Sequence, residues 1–290
     1  MPELPEVETV VRQLRPVVQQ NKLVRLRLLD KKLRGVNPAE LRHMRVYKVS
    51  RAGKQIIFHL RHARKEPERH LAIHLRMTGT LIWQRYAERS GGRKVVPDVS
   101  RRNYWRKAAD ILPQHVRAIF YFEDGCVLFC DPRRFGTFAL KADAAGFRPA
   151  GLEPLSRAFT RKKLANLLRL SSQEIKPWLL RQDKLCGIGN IYAAEILFAA
   201  RLHPRRRAGS LGASEVQRLH SATVRILRKA ISFCGTTVSD FQDTTGSAGG
   251  FSRLLKVYDR ENRRCRRCRG AILRIMQQGR STYYCPVCQT

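Results

Sequence analysis

Val7, Val10, Val11, Leu14, Val17 and Val18 recur at helical spacing, and Glu3, Glu6 and Glu8 gather where that run begins. The spacing predicts an N-terminal helix over residues 5–18, with Pro5 in its first turn and Pro16 bending or ending it. From there to about residue 140 the period falls to two. Val24, Leu26 and Leu28 alternate with Arg25 and Arg27, and short apolar runs follow at 55–60, 71–74, 80–83, 116–122 and 126–130. Glu123-Asp124-Gly125 joins the last two as a turn. So many short strands predict a β-sandwich or barrel. Residues 151–156 read as a linker, after which helical periodicity returns at 161–170, 174–182, 191–201 and 213–234. Leu185-Cys186-Gly187-Ile188-Gly189-Asn190 makes a tight turn between the second and third of these helices. Such a unit can contact DNA, although helix pairs of this kind are common in any α-rich domain. Gly246-Ser247-Ala248-Gly249-Gly250 reads as a mobile loop. The expected class is α+β, divided at about residues 150 and 250.

Charge sharpens this picture. The 290 residues carry 57 Lys+Arg against 23 Asp+Glu, a formal net charge of +34. A surface so basic binds polyanions through counterion release, without needing to read sequence. Anionic membrane or simple solubilisation are the bland alternatives. A membrane reading wants a basic amphipathic helix or a concentrated polybasic tail, whereas here the cations are spread along the whole chain. No apolar run reaches the roughly 18–20 residues of a span, and the best candidate, 191–200, carries Glu195. The start, Met-Pro-Glu-Leu-Pro-Glu, does not read as a secretory signal. The expectation is a soluble, cytoplasmic nucleic-acid-binding protein with no membrane partner.

The eight cysteines fall into two groups. Cys265, Cys268, Cys285 and Cys288 form a C-x2-C-x16-C-x2-C pattern, which suits one four-thiolate tetrahedral zinc ion. Disulfides are a poor reading for an intracellular chain. Four thiolates leave no open coordination position, so the Zn2+ is expected to be structural. Residues 271–276 and 280–284 read as a β-hairpin between the pairs, with Arg280 just past its turn. Cys126, Cys130, Cys186 and Cys234 lack ligand spacing and are expected to be small buried hydrophobes.

The N-terminus offers a second chemistry. Proline after the initiator methionine is the small kind of residue from which methionine is removed, and removal exposes a secondary amine at Pro2. An α-amino group titrates near 7.7–8.0, so at neutral pH far more of it is nucleophilic than of a lysine. Attack on an aldehyde carbon such as C1′ of an opened sugar gives an iminium, cationic without protonation and an electron sink for elimination. Glu3, the next residue, could protonate the opening sugar or shuttle the proton. Many unrelated proteins also begin Met-Pro.

Taken together, Pro2-Glu3-Leu4-Pro5-Glu6, His74-Leu75-Arg76-Met77, Asp131-Pro132-Arg133-Arg134-Phe135-Gly136, Gly187-Ile188-Gly189-Asn190-Ile191-Tyr192 and the four-cysteine segment resemble the formamidopyrimidine-DNA glycosylase family of bacterial repair enzymes. The resemblance spans nearly the whole chain. It implies a catalytic N-terminal helix and β-sandwich over 1–150, a helix–two-turn–helix DNA-binding part over 151–250 and a zinc-finger hairpin over 251–290. It further implies a monomer acting on double-stranded DNA that contains damaged bases or abasic sites. Pro2 would be the Schiff-base nucleophile and Glu3 the acid assisting sugar opening. Lys54 would transfer a proton in β-elimination and Arg280 would serve δ-elimination. His74, Asn190 and Tyr258 would contact phosphate, and Met77, Arg133 and Phe135 would fill the space left by an extruded base. His115 would be a further DNA contact, retained from a His-x-His of which Pro113-Gln114-His115 keeps only the second histidine.

The chain departs from the family pattern elsewhere. Leu170-Ser171-Ser172 replaces a lysine-rich stretch, and Asp259-Arg260-Glu261-Asn262 replaces glycines before the finger. Residues 62–69 and 85–112 read as enlarged basic loops. Two rivals remain at this level. One is the sister, endonuclease VIII-like family acting on oxidised pyrimidines, which tends to have Gly where this chain has Leu4. The other is a non-catalytic zinc-ribbon DNA-binding protein, which gives no reason for Pro2, Glu3, Lys54 and Arg280 to coexist.

Overall fold

A computed structural model describes all residues except 34, 63–67, 89–93, 96–112 and 238–240. The enlarged loops expected at 62–69 and 85–112 lie largely outside the described residues. The chain divides into two compact units. The first comprises Met1–Pro2, Glu6–Arg148 and Thr236–Gly249; the second comprises Glu3–Pro5, Pro149–Gly235 and Gly250–Thr290.

The valine stripe folds as helix α1 (Leu4–Val18). Pro16 sits inside its last turn. The missing N–H removes one bond where only two residues remain, so the helix continues to Val18 instead of stopping. The strands of the first unit are β1 (Leu23–Leu28), β2 (Arg45–Ala52), β3 (Gln55–Arg61), β4 (Arg69–His74), β5 (Thr80–Arg85), β6 (Ala87–Glu88), β7 (Lys94–Val95), β8 (Val116–Phe122), β9 (Gly125–Cys130) and β10 (Thr137–Lys141). Two four-stranded antiparallel sheets result, ordered β1-β8-β9-β5 and β10-β4-β3-β2, with β6 and β7 as a separate ribbon. This is the sandwich that the period-two pattern predicts. Ile56, Phe58 and Leu60 of β3, Leu71 and Ile73 of β4, and Phe120 and Phe122 of β8 share one core with Val7, Val10 and Leu14 of α1. Each such side chain contributes about 1.5–3 kcal/mol by leaving water.

The segment leading into the loop expected at 246–250 is tied down. Phe241 joins the sandwich core. The Trp83 N–H, on edge strand β5, donates to the Thr244 carbonyl at 3.1 Å. Gln13 of α1 donates to the Asp243 carboxylate at 2.9 Å and accepts from the Thr244 N–H at 3.0 Å. Asp243 in turn accepts from the Thr245 and Ser247 N–H groups.

On the outer face of the β2-β3-β4 layer, His59 and His70 stand opposite each other with their Nδ1 atoms 2.9 Å apart. The other His59 nitrogen lies 2.6 Å from Ser50 Oγ. Burial, reinforced by His70 and Lys48, lowers the His59 pKa from 6.5 to about 4. A base whose cation is disfavoured by folding holds fewer protons folded than unfolded. Its contribution is therefore complete above pH 6.5 and is lost as pH falls toward 4. Denaturant titrations should show stability falling as pH drops across that window. His59→Phe should reduce the slope and leave the share of His74, whose pKa is lowered over the same range, and an unchanged slope would refute the assignment.

The second unit contains α2 (Arg161–Arg169), α3 (Ile175–Leu179), α4 (Asn190–Ala200) and α5 (Ala213–Ser232), then the hairpin strands β11 (Leu273–Gln277) and β12 (Arg280–Tyr284). Trp178, Tyr192, Ile196, Leu219 and Leu227 lie within its main core. The segment 151–156 is not a free linker. Leu152 bridges to Leu185, its N–H donating to the Lys184 carbonyl and its carbonyl accepting from the Cys186 N–H. Cys126, Cys130 and Cys186 are buried as expected, and burial raises the first two thiols to about 12. Cys234 departs from expectation. It is exposed, because it takes the left-handed position (φ 58°) just beyond α5, where the chain turns out of the helix. Among the described residues no helix is long and apolar enough to cross a membrane.

Candidate active site

In the second unit the site begins at Glu3, which is 2% exposed. Helix α4 starts after Gly189, which has no side chain with which to cap it. Glu3 supplies the cap from far away in sequence. Its carboxylate accepts from the N–H groups of Gly189 (2.6 Å), Ile191 (3.0 Å) and Tyr192 (3.4 Å). An anion on the first turn of a helix also meets the positive end of its dipole. The approach explains both glycines. A Cβ on Gly189 would collide with the Glu3 carboxyl group, and one on Gly187 (φ +91°) would lie 2.8 Å from Leu4. The Leu4 N–H donates to the Gly187 carbonyl at 2.9 Å.

Three further elements converge on the same region of this unit. The β11–β12 turn has two residues, Gln278 (φ 47°) and Gly279 (φ 72°), both left-handed, as the twist of a tight hairpin requires. Arg280 follows, exposed, as the first residue of β12. The carbonyl of its neighbour Ser281 accepts from Asn190 Nδ2 at 3.0 Å and from Lys176 Nζ at 3.0 Å. Lys176 also donates to Thr282 Oγ1 at 2.6 Å. Lys176 is completely buried. Burial pushes its pKa down to about 8, with Arg280 adding to the effect and Glu3 opposing it. Tyr258 packs edge-on against Tyr283, and burial raises its phenol. Its position is set by Glu195, whose buried carboxylate accepts from the N–H groups of Lys256, Val257 and Tyr258. Desolvation raises the Glu195 pKa.

Sequence reasoning gave no role to Lys176 or Glu195. The signal was present as single charged residues inside Ile175-Lys176-Pro177-Trp178 and inside the apolar run of α4.

In the first unit, Pro2 is buried and belongs with the sandwich. Lys54 lies in the two-residue turn between β2 and β3, beside Gly53 (φ 57°), and is itself only 9% exposed. Arg51 holds that turn, donating to the Gly53 carbonyl and to Glu8 of α1. His74 ends β4. Burial, then Arg76 and Lys54, lowers its pKa to about 4. Its Nδ1 accepts from the Arg76 N–H at 3.0 Å, which places the proton of the neutral ring on Nε2 as a donor. Met77 and Phe135 are 43% and 50% exposed, unusual for side chains of this size, and Arg133, two residues before Phe135, is exposed as well. His115 is half-buried before β8, and its carbonyl accepts from the Asp131 N–H.

The four cysteines of the finger bring their sulfur atoms within 4.8 Å of one another. Cys268 and Cys285 are 3.4 Å apart, and Cys265 and Cys288 are 4.0 Å apart. A tetrahedron with Zn–S bonds of about 2.3 Å has edges of about 3.8 Å, so the set fits one structural zinc ion.

Three family models match in order: the formamidopyrimidine-DNA glycosylase N-terminal domain over residues 1–138, the H2TH domain of the same enzymes over 150–242, and the zinc finger found in FPG and IleRS over 264–290. The chain belongs to the formamidopyrimidine-DNA glycosylase family. A relative from Pelotomaculum thermopropionicum, named formamidopyrimidine-DNA glycosylase, is 38% identical, with 100% of this chain and 99% of that protein covered. The MutM (FPG) structure from Thermus thermophilus is 34% identical with a TM-score of 0.79, covering 99% and 98% of the two chains. A Lactococcus lactis FPG mutant in complex with Fapy-dG containing DNA is 30% identical with a TM-score of 0.81, covering both chains fully. Members of the formamidopyrimidine-DNA glycosylase family are base-excision repair enzymes that join glycosylase to AP lyase activity, which sets aside the non-catalytic zinc-ribbon reading.

Proposed function

We propose that this enzyme excises oxidised purines, 8-oxoguanine and formamidopyrimidines, from double-stranded DNA through a Schiff base on Pro2, followed by β- and δ-elimination. It acts as a monomer on bacterial cytoplasmic DNA. The sandwich carries the nucleophile, and the helical part and finger hold the duplex. The observation that supports this reading best is the seat of Glu3. A buried carboxylate held by three main-chain N–H groups fixes the residue that follows the candidate nucleophile, and two glycines are needed to make room for it.

The freed secondary amine of Pro2 attacks C1′, and the bond to the damaged base breaks. The Glu3 carboxylate takes the proton that the Pro2 nitrogen gives up on attack and delivers it to the ring oxygen as the sugar opens, giving the iminium. Loss of a C2′ proton, relayed through Lys54, expels the 3′-phosphate. A second elimination, with Arg280 on the departing group, expels the 5′-phosphate. His74, through its Nε2 proton, and Asn190, Tyr258 and His115 hold phosphates. Met77, Arg133 and Phe135 occupy the gap left by the extruded nucleotide.

Cleavage of an 8-oxoguanine·cytosine duplex, with end-group analysis, tests the scheme. Phosphate is expected at both ends of a one-nucleotide gap. A thymine glycol duplex run in parallel is expected to be cut more slowly, and faster cutting of it would favour the sister family's substrates.

A further inference from the structure

The two loops that carry Met77 and Phe135 share a foundation. Met77 lies in the connection between β4 and β5; Arg133 and Phe135 lie in that between β9 and β10. Between them sits Asp131, completely buried. One carboxylate oxygen accepts from the Thr78 hydroxyl at 2.5 Å, and the other accepts from the Gly136 N–H at 2.7 Å. The Arg133 N–H reaches the Thr78 hydroxyl at 3.4 Å. A second strut holds the far side, where Arg134, at left-handed φ 58°, donates twice to Asp30, both at 2.7 Å. A buried carboxylate is an expensive way to gain stability, since apolar groups of the same shape are often as good. What this network gains is geometry, because one carboxylate sets the relative position of two loops whose tips are apolar and exposed.

We propose that Asp131 and Thr78 are positioning residues that hold Met77, Arg133 and Phe135 as one rigid wedge before DNA is met. The inference rests on the proposed role of those three residues in replacing an extruded base. A wedge fixed in advance loses no conformational freedom on insertion, so the benefit falls on base extrusion and not on the later eliminations.

Thr78→Val keeps the volume and removes the hydroxyl. Excision from an 8-oxoguanine·cytosine duplex is expected to fall about tenfold, while cleavage of an abasic site in single-stranded DNA, where nothing is extruded, stays within about twofold. Thr78→Ser should restore the duplex rate. Arg134→Ala, which removes the half-exposed partner of the buried Asp30 carboxylate, should act in the same direction as Thr78→Val. Fluorescence of 2-aminopurine beside the lesion should report slower unstacking in Thr78→Val. Equal losses on both substrates, no loss on either, or failure of Thr78→Ser to restore the rate would overturn the proposal. Met77→Ala and Phe135→Ala separate the two levels. If they leave duplex excision intact, the wedge reading itself fails. If they impair it and Thr78→Val does not, only the shared foundation fails.

Discussion

Blocking the imino group of Pro2 is expected to abolish covalent trapping on abasic DNA. With the methionine removed, borohydride should reduce the iminium to a stable protein–DNA adduct. An uncleaved N-terminal tag converts the amine to an amide with no available lone pair, and the adduct should disappear. Pro2→Gly leaves a primary amine of similar basicity. Its imine is an electron sink only when protonated, and the ring that fixes the lone pair is gone. Base excision is expected to drop by about a thousandfold or more, the scale on which removing a nucleophile acts. Peptide mapping of the adduct should place it on Pro2. An adduct on a lysine, or one that survives the tag, would contradict the scheme.

Loss of zinc should be nearly as damaging. The finger has its own small core, in which Val257, Cys265, Ile272 and Cys285 pack against Ala194 and Phe198 of α4. So small a cluster cannot order a hairpin alone, and structural zinc supplies about 10–16 kcal/mol of apparent folding energy in comparable units. Cys285→Ser or a strong chelator is expected to release β11 and β12 and, with them, Arg280 and the Ser281 carbonyl that receives Asn190 and Lys176. Duplex affinity should fall by about a hundredfold as several phosphate contacts are lost. Far-UV circular dichroism should change little, because α2, α3 and α5 and most of α4 belong to a separate core. Adding zinc back should restore activity after chelation but not after Cys285→Ser. Full activity at stoichiometric zinc loss would refute a structural role.

What the chain disclosed in advance was whatever repeats locally. The valine stripe of α1, the alternation in β1 and the cysteine spacing each report a period or a short distance along the sequence, and each leads to the observed element. What stayed hidden depends on residues far apart. Lys176 is one cation among 57 in the sequence until Ser281 and Thr282, more than a hundred positions later, receive its ammonium group. Glu195 reads as a blemish in an apolar helix until residues 256–258 turn their N–H groups toward it. The 151–156 segment has linker composition, yet its backbone pairs with residues 184–186. Met77 and Phe135 invert the usual expectation for large apolar side chains at strand ends, and only the family resemblance pointed outward. Gly187 and Gly189 were legible as a turn, while their reason, the approach of Glu3 and Leu4, was not.

The return of residues 236–249 to the sandwich has a consequence for how such a protein can be cut and recombined. Phe241 fills part of a core built almost entirely from the first 140 residues, and Thr244 occupies a backbone donor on the sheet's outer strand. A fragment ending near residue 150 would carry a hole in its interior and an open margin on β5, a template for self-association. Exchange of modules between relatives should therefore succeed only when the donor brings both stretches together.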